Sequence, residues 1–111
     1  MTNPSKQKGT TFETAIVNYL NANGYPYAER RALAGSVDKG DIAGLPGIVI
    51  EAKATKALAV STHLAETEAE RQNAKADYGI LIWKRPRQPI HQAACIIPLD
   101  QLVTLLKEAG R

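Results

Sequence analysis

Asp41, Glu51 and Lys53 are the residues of this chain whose types and spacing could do chemistry together. Leu45-Pro46-Gly47 has turn chemistry and lies between two β-like runs, so residues 40–54 predict a β-hairpin. With those three residues as the loop, Gly44 pairs with Ile48, and the same register sets Asp41 opposite Glu51. Directly opposed residues hold their Cβ atoms about 4.5–5.5 Å apart. Side-chain period two puts Lys53 on the face of Glu51 and turns Ile48, Ile50, Ala52 and Ala54 into the core. Two carboxylates this close repel and raise each other's pKa. A hard divalent cation relieves them, since Mg²⁺ takes one or two carboxylates and keeps several waters. Lys53 would then stand where it can hold a water or a phosphate oxygen. The competing reading is a solvated hairpin face with a Glu51–Lys53 surface pair. Asp38 replaces Asp41 as ligand if the register slips.

The surrounding elements must position these groups. TTFETAIVNYLNANG (10–24) predicts a helix capped by Thr10 or Thr11 and stopped by Gly24, with Phe12, Ile16, Val17 and Leu20 as its apolar stripe. Glu13 shares the i, i+3, i+4, i+7 spacing of that stripe, so its carboxylate needs either a partner or a rim position with its head in water. An extended segment follows, with a turn at Gly35-Ser36. Residues 58–77 predict a second helix. Leu58, Ala65, Ala69, Gln72 and Ala76 share the face expected to lie on a sheet, while Glu66 and Glu70 point the other way and His63 is at the surface. Gln72 is then either a buried glutamine bonded to backbone or a group serving the site. YGILIWK and AACIIPL predict strands with Trp83 and Cys95 in the core, and LDQLVTLLKEAG predicts a closing amphipathic helix. The order α-β-β-β-α-β-β-α indicates an α/β fold with a mixed sheet flanked by helices.

The 111 residues predict a flexible basic tail over 1–8 and a single domain over 9–111. Hydrophobic residues make up 44% and charged residues 23%, too apolar a balance for disorder. No apolar run approaches the ~20 residues of a membrane span, and the polar start MTNPSKQKGTT has no signal-like apolar stretch. The single Cys95 excludes an intrachain disulfide or a cysteine-based zinc site and suits a reducing cytoplasm. The net charge of +3 is a mild bias toward polyanions. Arg30 and Arg31 precede the Gly-Ser turn; Lys84, Arg85 and Arg87 cluster in WKRPRQP; Lys6, Lys8, Lys39 and Lys56 bracket the hairpin. Such cations around a carboxylate site would suit a nucleic-acid backbone. No Ser-His-Asp pattern and no Gly-rich phosphate loop is present.

Glu13 on a helix, then Asp41, then Glu51-Ala52-Lys53 resembles the PD-(D/E)XK nuclease superfamily. Within it, Lys8-Gly9 followed by Glu13, then Ala34-Gly35-Ser36, Asp41 and Glu51/Lys53, is similar to the archaeal-type Holliday junction resolvases. The run from about residue 6 to 87 also looks like small resolvase-like proteins of actinobacterial phages. Gly40 stands where the superfamily name carries its proline, and the chain ends soon after the last helix, without a longer C-terminal dimer element.

The resemblance implies a restriction-endonuclease-like fold and Mg²⁺- or Mn²⁺-dependent hydrolysis of DNA phosphodiester bonds. Asp41, Glu51 and the Ala52 carbonyl would hold the metal. Lys53 would orient or deprotonate the attacking water. Glu13 would bind a second metal or a metal water, Ser36 would sit near the scissile phosphate, and Gln72 would act from the flanking helix. A homodimer acting in the cytoplasm, such as a bacterial cell hosting a phage, would match the two-fold symmetry of a four-way junction. Alternatives are a flap, fork or nicking nuclease, a non-catalytic DNA-binding domain on the same fold, or an interaction domain with an acidic hairpin.

Overall fold

A computed structural model describes residues 4–32 and 37–111. Ser36 lies outside them. Helix α1 (Pro4–Ala22) leads to β1 (Glu29–Arg30), β2 (Ile42–Ala43) and β3 (Ile48–Lys53). Helix α2 (Val60–Ala74), β4 (Tyr78–Trp83), a 3-10 turn (Ile90–Gln92), β5 (Ala94–Ile96) and α3 (Leu99–Glu108) follow. The five strands form one mixed sheet in sequence order, antiparallel except for the parallel pair β3–β4, which α2 connects. This is the expected α/β order α-β-β-β-α-β-β-α.

The hairpin register is the predicted one. Ile42 pairs with Ile50, which sets Asp41 level with Glu51. Alternation along β3 then divides the sheet. On one face Ile50, with Ile42 and Ile82, packs on Phe12 and Ile16 of α1, with Ile48, Ala52 and Ala54 around them. On the other face α2 covers Val49, Glu51 and Leu81.

Four expectations are corrected. Helix α1 begins at Pro4, so residues 4–8 are its first turns rather than a tail, and Thr10 and Thr11 are interior rather than caps. Proline is tolerated in a first turn because its missing N–H has no partner there anyway. The helix ends at Ala22, and Gly24, with φ +99°, lies in the turn that follows it. Helix α2 is rotated: Thr67 and Glu70 are buried, whereas Ala65, Ala69 and Gln72 are exposed. Its approach is set by Gly79 in β4, where a Cβ would meet Thr67 Cγ2 at 3.2 Å and Arg71 Cβ at 3.3 Å. Close packing therefore comes from a glycine in the strand, not from alanines in the helix. Cys95 is exposed on β5 rather than in the core. Trp83 is half-buried, and its indole N–H donates to the Thr55 carbonyl at 2.8 Å.

Candidate metal centre

Three elements converge on the α2 face of β3. Glu51 comes from the strand, and only 6% of it is exposed. Glu70 descends from α2 and is 4% exposed. Asp38 arrives from the segment before β2. One carboxylate oxygen from each lies within 4.8 Å of the others. The backbone that brings Asp38 here is constrained. Gly40 has φ +95°, and a Cβ there would meet the Ile50 carbonyl oxygen at 2.9 Å. Proline, fixed near −65°, could not adopt that conformation. The Gly40 N–H donates to Asp38 Oδ1 at 2.9 Å, and Asn73 of α2 donates its side-chain N–H to the Asp38 carbonyl at 2.9 Å.

Asp41 borders this cluster rather than completing its closest triad. Its Oδ2 accepts the Ala52 N–H at 2.8 Å, and its backbone is tied to both neighbouring strands, Asp41 N–H to Ile50 carbonyl and Arg31 N–H to Asp41 carbonyl. A residue in a strand directs its N–H and C=O to the same edge, so the Ala52 carbonyl faces the Asp41 side. Lys53 Nζ lies 3.5 Å from Glu51 Oε1 and 3.5 Å from Glu66 Oε2. His63, expected at the surface, is half-buried, with its Nδ1 3.5 Å from Glu66 Oε2. Gln72 is on the outer face of α2, donating to Glu68, and takes no part in the site.

The electrostatics are those of acids crowded out of water. Burial first, then a hydrogen bond with Glu70 and the charge of Asp41, push the Glu51 carboxyl up to about 10. Burial raises Glu70 to about 7; its bond to Glu51 works against this, while the charges of Asp38 and Asp41 add to it. Glu13 is raised by burial and by Asp41, against the pull of Arg30, whose Nη2 is 3.9 Å away. For Lys53, burial acts to lower the pKa, but the carboxylates of Glu51 and Glu66 outweigh it and hold it above the ordinary lysine value. Glu70 Oε2 is buried with no hydrogen-bond partner. An orphaned carboxylate oxygen among hard oxygen donors fits a hard divalent cation.

The basic residues fall into two groups, divided by the first turns of α1. Lys6, Arg30, Arg31 and Lys39 line an open cleft of about 1150 Å³ with Glu13, Asp38 and Asp41. Lys8, Lys56, Lys84 and Arg85 line a second groove of about 520 Å³. Arg87 is exposed, with φ +60°, in the connection after β4.

Glu70 was the residue sequence reasoning missed. Its signal was the spacing His63, Thr67, Glu70, Ala74, a second stripe on α2 with a polar side chain at nearly every turn. Comparison with family models, curated proteins and solved structures gives no match to this chain. Among the described residues, no helix is long and apolar enough to cross a membrane.

Proposed function

We propose that this chain is a Mg²⁺- or Mn²⁺-dependent endonuclease that hydrolyses DNA phosphodiester bonds and takes Holliday junctions as its substrate. One observation carries the reading: two buried carboxylates, Glu51 and Glu70, meet the exposed carboxylate of Asp38, with Lys53 paired to Glu51 at their rim, beside a cleft edged by cations. Asp38, Glu51 and Glu70 would hold the cation, with Asp41 and the Ala52 carbonyl at its margin. A bound divalent cation supplies Lewis-acid charge that lowers the pKa of a water and neutralises charge growing on phosphate oxygens. Lys53, kept protonated by its two carboxylates, donates to a water or to a non-bridging phosphate oxygen. Arg30, Arg31 and Lys39 meet the DNA backbone across the cleft and set the register of the strand. Glu13 holds Arg30 toward the cleft rather than ligating with the triad.

The working form is a homodimer. Leu99, Leu102, Val103 and Leu106 of α3 are exposed at i, i+3, i+4 and i+7, a stripe with no partner among the described residues. Asp100 and Lys107 flank it on one side. An antiparallel two-fold pairing would set Asp100 of each copy near Lys107 of the other, which favours a second copy of this chain as the occupant.

Incubation with Mg²⁺ and labelled junction, flap, fork and linear duplex, followed by mapping of the cuts, tests this reading. Paired symmetric nicks on the junction are expected. Preferred cutting of flaps or forks would replace the resolvase reading with another structure-specific nuclease. Binding without cutting would leave only a DNA-binding domain.

A further inference from the structure

The groove on the far side of α1 belongs to neither the carboxylate cluster nor its cleft. Helix α1 separates them: Lys6, Thr10 and Glu13 face the cleft, while Lys8, Thr11 and Phe12 face the groove. The opposite wall is the end of β3 with Thr55 and Lys56, and the connection that follows β4. Four cations surround it, Lys8, Lys56, Lys84 and Arg85, and no carboxylate is among its lining residues. Among the described residues none of the four is within ion-pair distance of an acid. The floor is apolar, formed by Ala15, Ile90 and Ala93 where they back onto the α1-side core. Gln7 and Gln88 stand at the rim with amide groups.

We propose that this groove holds an unpaired stretch of the DNA strand, with phosphates on the four cations and a base or sugar on the apolar floor. The charge selects a polyanion. The floor selects against duplex, whose bases are stacked inside and which would offer the groove only phosphates. A single strand presents phosphate and an unstacked base together, and the amides of Gln7 and Gln88 can bond base edges. A volume of about 520 Å³ is in the usual range for sites that enclose a compact ligand. The inference rests on the proposed function for the identity of the polymer. It narrows the substrate to branched DNA that can offer a short unpaired stretch, such as a junction opened at its crossover, to a second groove.

The test is fluorescence anisotropy in EDTA, with a labelled eight-nucleotide oligothymidylate, a duplex of the same length, and inorganic phosphate as competitor. The single strand should bind more tightly than the duplex, and millimolar phosphate should not displace it. Lys84→Ala with Arg85→Ala should weaken single-strand binding at least ten-fold and reduce the slope of log K against log salt by about 1.4, two contacts at about 0.7 each. Gln88→Glu, which adds a negative charge at the rim, should weaken it severalfold, and Lys75→Ala on the far end of α2 should not change it. Thermal melts confirm that each variant is folded. Equal binding of duplex and single strand, displacement by phosphate alone, or an unchanged double variant would overturn the proposal. Because no metal is needed, a chain that cuts nothing can still pass. A chain that cuts junctions but fails here would keep the proposed function and lose the groove.

Discussion

The two faces of strand β3 are opposite solutions to burial. Ile48, Ile50 and Ala52 face α1 in an apolar cluster with Phe12, Ile16, Ile42 and Ile82. Val49, Glu51 and Lys53 alternate with them and face α2, where Thr67 and Glu70 are as buried as the isoleucines. The first face contributes stability through area removed from water. The second gives stability up, because Glu51 and Glu70 are held where their charged forms are disfavoured. The α1 side carries the larger apolar cluster, and the α2 side sets Glu51 and Glu70 beside Val49 and Leu81 at a cost in stability.

Lys53→Ala should separate the two most sharply. Cleavage should slow by about 10²–10⁴-fold, as when a positioned proton-transfer or charge-stabilising group is lost, while the melting temperature moves little. A rate within a few-fold of the parent chain would remove Lys53 from the chemistry. Ile50→Ala, three residues away on the other face of β3, should do the reverse. It should lose about 2–5 kcal/mol of stability in denaturant melts and keep its cleavage rate per folded molecule. If both variants lost only stability, the two faces would not differ in kind.

How much of this division could be read in the sequence follows from what each element depends on. The hairpin was legible because a three-residue loop with Pro46 and Gly47 fixes register, and register fixes faces. The rotation of α2 was not. Its alanines looked like a packing stripe, yet helix orientation is decided by what the sheet offers, and Gly79 offers a notch to Thr67. Glu70 was lost with that rotation. Asp38 entered the cluster although the register did not slip, because the left-handed Gly40 bends the chain back over β3. The start of α1 was misplaced because two threonines resemble caps, whereas Pro4 also opens a helix.

Glu70→Gln keeps the shape of the buried side chain and removes its charge. In EDTA at pH 8 this variant should melt several degrees above the parent chain, by differential scanning calorimetry. A lower melting point would make Glu70 an ordinary structural acid. The pH dependence should have the same origin. Glu51 and Glu70 bind protons more strongly folded than unfolded, so from the ordinary carboxyl value of 4.5 up to about 7 for Glu70 and about 10 for Glu51 the folded state carries the extra protons. Metal-free stability should therefore fall as pH rises through that window. Saturating Mg²⁺ should flatten the fall, because ligation displaces the protons. A metal-free melting point that rises over the same range would contradict the burial of these acids.

A smaller effect concerns assembly. Leu102→Ser with Leu106→Ser on α3 should convert a dimer to a monomer in light scattering and leave the melting point of the monomer nearly unchanged, since both residues are exposed. An unchanged mass would place the dimer contact elsewhere or remove it.

The carboxylate cluster itself is tested most directly by calorimetric titration of Mn²⁺ into the DNA-free protein at pH 6.5 and pH 8. Binding with proton release is expected at both, tighter at pH 8, with the heat lost in Glu70→Gln and in Asp38→Asn and retained when Gln72 is replaced by alanine. Binding that survives Glu70→Gln unchanged, or no binding by the parent chain at millimolar Mn²⁺, would contradict a metal centre built from Asp38, Glu51 and Glu70.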